Sequence, residues 1–337
     1  MRDKRLGQLN AAAQGLGCSN LTGNYGRAFD EKVATATLHR ALDLGVQLLD
    51  TSDVYGAHAN EEFIGRALRG RRDEAVLATK FGTSGFGGLV AAGSSPGQRT
   101  RGDARYASEA CEASLKRLKV DHIDLYFLHR VDPKIPIEET VGGMANLVAQ
   151  GKVRFLGLCE VTGDTLRRAA AVHPITALES EWSLWSRDIE ESIVAVARDL
   201  GVGVIPYAPL GRGFLTGQIK EESDFGPNDG RRFSPRFQGD NFRRNLELVR
   251  QVVKMAEEKG CTSAQLALAW LDAQGPDVVP IPGADRPEYV DENVGALNVL
   301  LTKDDLGTID QVIPRGAAAG DRYADMTWVA GETPPRR

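Results

Sequence analysis

Four side chains capable of acid–base chemistry fall at or just after short apolar runs. Asp50 closes the run from Gln47, and Tyr55 follows five residues later in DTSDVYG. Lys80 ends LATK, and His129 follows the apolar run of DLYFLHR. A free phenol titrates near 10, too high to exchange a proton readily at neutral pH. A nearby ammonium stabilises the phenolate and lowers that value, so a Tyr beside a Lys is a candidate proton donor and acceptor. Each residue alone has a structural alternative: a capping Asp, a packed Tyr, a solvated Lys, a structural His. Their coincidence on one rim is what points to chemistry.

That rim requires strands in parallel. The apolar runs Gln47–Asp50, Ala75–Lys80, Ile123–Leu128, Val153–Leu158, Ile175–Glu179, Gly203–Tyr207 and Val278–Ile281 are short and continuous, as in strands covered on both faces. Ala13–Cys18 is an eighth, weaker because it carries two glycines. Amphipathic helices are predicted between them over Asp30–Leu44, Ser108–Leu118, Ile137–Gln150, Asp164–Val172, Ile189–Leu200, Asn245–Lys259 and Ser263–Ala273, with Gly45, Gly151 and Gly201 at helix-to-strand turns. Alternating strands and helices without a linker predict one (β/α)8 TIM barrel spanning 1–337, its core about 11–313 and a C-terminal tail over 314–337. The last five residues, Thr333–Arg337, read as disordered. In such a barrel the site lies at the C-terminal strand ends, where Asp50, Tyr55, Lys80 and His129 converge. Two stretches, Phe81–Asp103 and Pro209–Asn241, are longer than simple loops and read as functional or mobile.

The chain's 337 residues are 42% apolar, ample for a core, and its 41 basic against 46 acidic residues give a net charge of −5. Nothing there favours nucleic acid or a membrane surface. The four cysteines are scattered, suggesting neither a zinc site nor a disulfide framework. No apolar run approaches the roughly 20 residues of a membrane helix, and Met1–Asn10 lacks the apolar segment of a signal peptide. A cytoplasmic protein is expected.

The segments GLGCSNLTGNYG, LLDTSDVYG, LATKFG, DLYFLHR, EWSLWSRD, PYAPLGRGFLTG and VVPIPGADRPEYVDENVGAL resemble the aldo-keto reductase superfamily from Gly15 to about Ile313. The resemblance implies a catalytic tetrad of Asp50, Tyr55, Lys80 and His129. Tyr55 would protonate a carbonyl oxygen as hydride arrives from nicotinamide, Asp50 would pair Lys80, and His129 would point the carbonyl at Tyr55.

No G-x-G-x-x-G follows a strand, so a Rossmann domain is not expected. The resemblance instead places a nicotinamide cofactor on the barrel. It implies that Tyr207 stacks on the nicotinamide ring, with Cys159, Glu160 and Glu179 at its carboxamide. It also implies that Gly17, Cys18 and Ser19 of the first loop contact the cofactor. The backbone of Leu210, Gly211, Arg212 and Gly213 would approach the pyrophosphate. Gly283 and Arg286 resemble a 2′-phosphate site, with Glu292 and Asn293 near the adenine, which favours NADP(H) over NAD(H). Three departures bear on this reading: Cys159 replaces the usual Ser, Glu179 replaces the usual Gln, and Asp285 sits where it would repel a phosphate.

The expected activity is reduction of small aldehydes and ketones. Tyr25, Phe81, Trp182 and Trp185 are aromatic candidates near the rim, more readily core than substrate contacts. Two alternatives stay open: a sugar or polyol dehydrogenase working oxidatively, and a nicotinamide-binding regulatory subunit with little turnover. The sequence leaves the oligomeric state open.

Overall fold

The computed structural model describes residues 1–84 and 100–335. A hairpin of β1 (Asp3–Leu6) and β2 (Leu9–Ala12) comes first, unforeseen because its runs are short and mixed in polarity. Seven parallel strands follow in sequential order: β3 (Leu16–Gly17), β4 (Leu48–Asp50), β5 (Val76–Phe81), β6 (Ile123–Leu128), β7 (Val153–Cys159), β8 (Ala177–Glu181) and β9 (Gly203–Tyr207).

The eighth strand closes the ring without a regular ladder. The N–H groups of Val279 and Ile281 donate to the carbonyls of Val204 and Pro206, while the carbonyls of Pro280 and Pro282 accept from Gly15 and Gly17. Alternate prolines lack the N–H that a ladder on the other side would need. The segment still bridges β9 to β3, and the sheet is a closed (β/α)8 barrel.

Successive side chains of a strand face opposite sides, and burial divides along that alternation. Leu48, Ala78, Leu125, Phe127, Cys159, Ala177, Ile205, Val279 and Ile281 fill the barrel interior together with Leu6, Leu9 and Ala11 of the hairpin. Leu49, Leu77, Phe81, Tyr126, Leu128, Leu158, Leu178 and Val204 face the helical layer. The hairpin plugs the end where strands begin: buried Lys4 donates to the carbonyls of Gly275 at 2.9 Å and Val278 at 2.8 Å. A Cβ on Gly203 would lie 2.5 Å from the Leu6 Cα, so only glycine lets the plug seat.

The outer layer is α1 (Glu31–Asp43), α2 (Ala59–Ala67), α3 (Ala104–Leu118), α4 (Ile137–Ala149), α5 (Gly163–Val172), α6 (Ile193–Asp199), α7 (Gly239–Lys259), α8 (Ser263–Asp272), α9 (Pro287–Gly295) and α10 (Lys303–Val312). Asp30, Asp103, Thr162, Thr262 and Thr302 cap N-termini through their side chains. Sequence periodicity missed α2, α9 and α10, and it started α3 and α7 several residues late. The predicted helix Ile189–Leu200 is broken at Ser192 (φ −142°, ψ −67°), leaving a short 3-10 turn before α6. The expected strand Ile175–Glu179 runs two residues later, as β8. Much of the Phe81–Asp103 stretch lies outside the described residues, as do Arg336 and Arg337. No helix among the described residues is long and apolar enough to cross a membrane.

The segment read as a tail is built into the barrel. Gly331 pairs with Val161 beyond the end of β7, and Arg322 and Tyr323 are buried.

Candidate active site

Inward alternation on β4, β5, β8 and β9 delivers Asp50, Lys80, Glu179 and Tyr207 to one end of the barrel. Lys80 is fully buried, and its Nζ lies 2.6 and 2.5 Å from the two Asp50 oxygens and 3.0 Å from the Thr51 carbonyl. Glu179 Oε2 lies 3.3 Å from the same ammonium, yet no donor is aligned on it. Two carboxyl groups thus share one cation. Burial opposes the Lys80 charge, but Asp50 and Glu179 outweigh it and hold the ammonium protonated. Burial, reinforced by Asp50, pushes Glu179 up to about 8, against the pull of Lys80. These surroundings favour the neutral form of Glu179, which would keep a donor as the usual glutamine does.

Tyr55 sits on the loop after β4. The Lys80 Nζ is 5.4 Å from its ring centroid, and the His129 ring meets it edge-on with centroids 6.1 Å apart. Sequence reasoning expected Lys80 to bring the phenol's pKa down. Lys80 does pull in that direction, but burial is the larger influence, and Asp50 and Glu179 oppose the ammonium. The net shift is upward, so the phenol is a firmly protonated donor. Burial, with Arg130 and Lys80 beside it, pushes His129 well below its ordinary value, leaving a neutral imidazole. Its Nδ1 is 3.1 Å from the Ser52 hydroxyl.

These residues open on a cavity of about 410 Å³. Of the residues singled out from sequence, Asp50, Tyr55, His129, Gly17, Ser19, Glu179, Tyr207, Leu210, Arg212, Gly213, Gly283, Glu292 and Asn293 line it. Cys18, Lys80, Cys159, Glu160, Gly211 and Arg286 lie behind or beside that lining. Cys159 is buried, and burial holds its thiol neutral. Glu160 turns its carboxylate to the Glu181 N–H (2.9 Å), the Tyr207 hydroxyl (2.8 Å) and Arg322 (3.0 Å), so it braces Tyr207 from behind. Arg286 is half exposed, 5.1 Å from the Tyr289 ring. Asp285, flagged as a phosphate repellent, forms an ion pair with Arg27 of the first loop, which sequence reading missed. Of the aromatic candidates, Tyr25 lines the cavity, whereas Phe81, Trp182 and Trp185 are core.

A nicotinamide cofactor fits these residues. The unaligned Glu179 oxygen would accept from a carboxamide N–H. At the mouth, a Cβ on Gly17 would lie 2.9 Å from the Ile281 carbonyl oxygen, so glycine lets β3 approach the closing strand there.

Two further lining residues escaped sequence reasoning. Tyr323 reaches the cavity from the C-terminal segment, its hydroxyl 2.9 Å from that of Tyr207. Arg130 follows His129 and is buried, with no carboxylate within salt-bridge distance among the described residues and its Nε unpaired. The only sequence signal was its position beside His129.

Residues 14–314 match the model of the aldo/keto reductase family. The chain is 44% identical over 327 residues to a probable aldo-keto reductase 1 of Glycine max, covering 96% of this chain and 92% of the relative. Its fold is similar to that of a glycerol dehydrogenase from Gluconobacter oxydans (28% identity, TM-score 0.81, 99% of this chain and 98% of the other). It is also similar to an aldo-keto reductase from Bacillus halodurans in its holo form (26% identity, TM-score 0.76, 96% and 100%). The chain belongs to the aldo/keto reductase family, oxidoreductases that act on small carbonyl compounds with a nicotinamide cofactor.

Proposed function

We propose that this protein is a cytoplasmic, single-domain reductase of aldehydes and ketones that uses NADP(H) in preference to NAD(H), with Tyr55 as general acid. The observation that carries the reading is the buried Lys80 ammonium, clamped by Asp50 and set under the Tyr55 ring beside a neutral His129. The cofactor, when bound, supplies hydride to the carbonyl carbon. Tyr55 gives its phenolic proton to the oxygen, and Lys80 stabilises the phenolate left behind. His129, neutral, hydrogen-bonds the carbonyl oxygen and holds it toward Tyr55. Tyr207, braced by Glu160 and Tyr323, presents a flat face for the nicotinamide ring, and Glu179 receives its carboxamide. The turn Leu210–Gly213 and Gly17–Ser19 would hold the pyrophosphate end. Arg286 and Arg27 flank Asp285, so two guanidinium groups would be available to a 2′-phosphate while Asp285 is already paired, and Glu292 and Asn293 would hold the adenine. Thiols throughout suit a reducing cytoplasm.

Alcohol oxidation is the second reading, favoured by the likeness to a glycerol dehydrogenase. The test of both follows absorbance at 340 nm with each cofactor and panels of carbonyls and polyols. Tyr55→Phe is expected to lower turnover by about 10²-fold or more while leaving cofactor binding intact. A mutant that turns over like the parent would remove Tyr55 from the chemistry.

A further inference from the structure

The loop that carries Tyr55 also carries Ser52 and Asp53, and neither has a part in the reaction described above. Both are buried. The Ser52 hydroxyl lies 3.1 Å from His129 Nδ1 and 3.2 Å from Asp53 Oδ1, so one hydroxyl bridges a carboxyl group and the imidazole. Ser52 has one proton to donate and can satisfy only one of these neighbours as a donor.

We propose that Asp53, Ser52 and His129 form a proton relay that sets whether the imidazole Nε2 facing the substrate carries a proton, favouring carbonyl reduction at acidic pH and alcohol oxidation at alkaline pH. The link to direction rests on the role given above to His129; the relay itself does not. With Asp53 protonated, its O–H donates to Ser52, Ser52 donates to Nδ1, and Nε2–H is left for the cavity. That is the donor a carbonyl oxygen requires. When the relay loses one proton, Nε2–H leaves to water in the cavity, the Ser52 proton passes to Nδ1, and the Asp53 proton passes to Ser52. The carboxylate now accepts from Ser52, Ser52 accepts from Nδ1–H, and Nε2 presents a lone pair. That lone pair suits the hydroxyl of an alcohol. One proton is released and the imidazole stays neutral throughout.

The surroundings place this change near neutrality. Asp53 is pushed up to about 7, first by burial and then by Glu61 on α2. The nearby cation, Arg117 on α3, is committed to Glu61 at 2.6 Å, and Glu61 is held in turn by Thr79 at 2.6 Å. Tyr106 on α3 and Tyr126 on β6 also face Asp53, and its carbonyl is contacted by His58. His129 is faced by Lys80 on β5, Arg130 and Tyr55, and burial together with the two cations keeps it from gaining a second proton.

Nitrogen-15 shifts report which ring nitrogen carries the proton. The His129 signals, identified by their loss in His129→Gln, are followed from pH 5.5 to 8.5. The expected result is Nε2–H giving way to Nδ1–H with a midpoint near 7 and no charged form. Asp53→Asn is expected to hold one tautomer throughout, Ser52→Ala to abolish the midpoint, and Ser52→Thr to restore it. Reductive kcat/KM should fall about tenfold per pH unit above the midpoint in the parent, and lose that limb in Asp53→Asn. An unchanging tautomer in the parent, or an Asp53→Asn enzyme that titrates like it, overturns the relay. A tautomer that switches while neither direction's rate follows it leaves the relay standing and removes His129 from substrate orientation.

Discussion

Replacing Arg322 by Ala tests whether the C-terminal segment is part of the active-site scaffold. Arg322 is 2% exposed and Glu160 3%. Their ion pair is 3.0 Å long, and the second guanidinium nitrogen reaches Asp188 at 2.8 Å. Removing one partner of a buried pair costs about 3–5 kcal/mol, because the other charge is left uncompensated. Glu160 would keep the Glu181 N–H and the Tyr207 hydroxyl, which favours the lower end. Asp188 is more than half exposed, so its pair adds only about 0–1 kcal/mol. A loss of about 3 kcal/mol divided by an unfolding entropy of about 0.7 kcal/mol/K for a chain this long predicts a Tm lower by about 4 °C. Calorimetry measures it directly. The double variant Arg322→Met/Glu160→Gln replaces the pair by neutral groups of similar shape and should recover to within about 1 kcal/mol of the parent. An Arg322→Ala protein melting within a degree of the parent would refute this reasoning. So would a double variant as unstable as the single one.

Stability should fall as pH rises from about 5 to 8. Glu179 and Asp53 have native values raised to about 8 and about 7, so the folded chain keeps protons there that the unfolded chain has lost. Glu179→Gln should flatten that slope by up to about 1 kcal/mol per pH unit, read from urea midpoints; a mutant with an unchanged slope would show that Glu179 is ionised. Arg286→Ala should weaken NADPH binding by about ten- to a hundredfold and leave NADH binding unaltered in a fluorescence titration; equal losses for both cofactors would argue against a 2′-phosphate contact. Gly203→Ala should cost about 1–3 kcal/mol, since the new methyl meets the Leu6 backbone at 2.5 Å; an unchanged Tm would mean the hairpin plug shifts freely.

Much of the site was legible because a strand's period is two and a barrel's active end is determined by chain direction. Asp50 and Lys80 end apolar runs, so their place on the rim follows from alternation alone, and Tyr55 and His129 follow from their distance beyond those ends. Helix starts were read unevenly: the one capped by Asp30 was found, whereas the one capped by Asp103 through the Tyr106 N–H was placed several residues late.

Other features exist only in three dimensions. Closure by a proline-interrupted eighth strand depends on partners more than 70 residues before it, and the Lys4 plug on carbonyls at the far end of the chain. Arg322 and Tyr323 look like ordinary tail residues until Glu160 and Tyr207 are seen behind them. The protonation states were the least legible, because burial and like charges set them. A lone lysine beside a tyrosine argues for a lowered phenol pKa. Burial in a closed barrel, with Asp50 and Glu179 opposing the same lysine, leaves that phenol protonated.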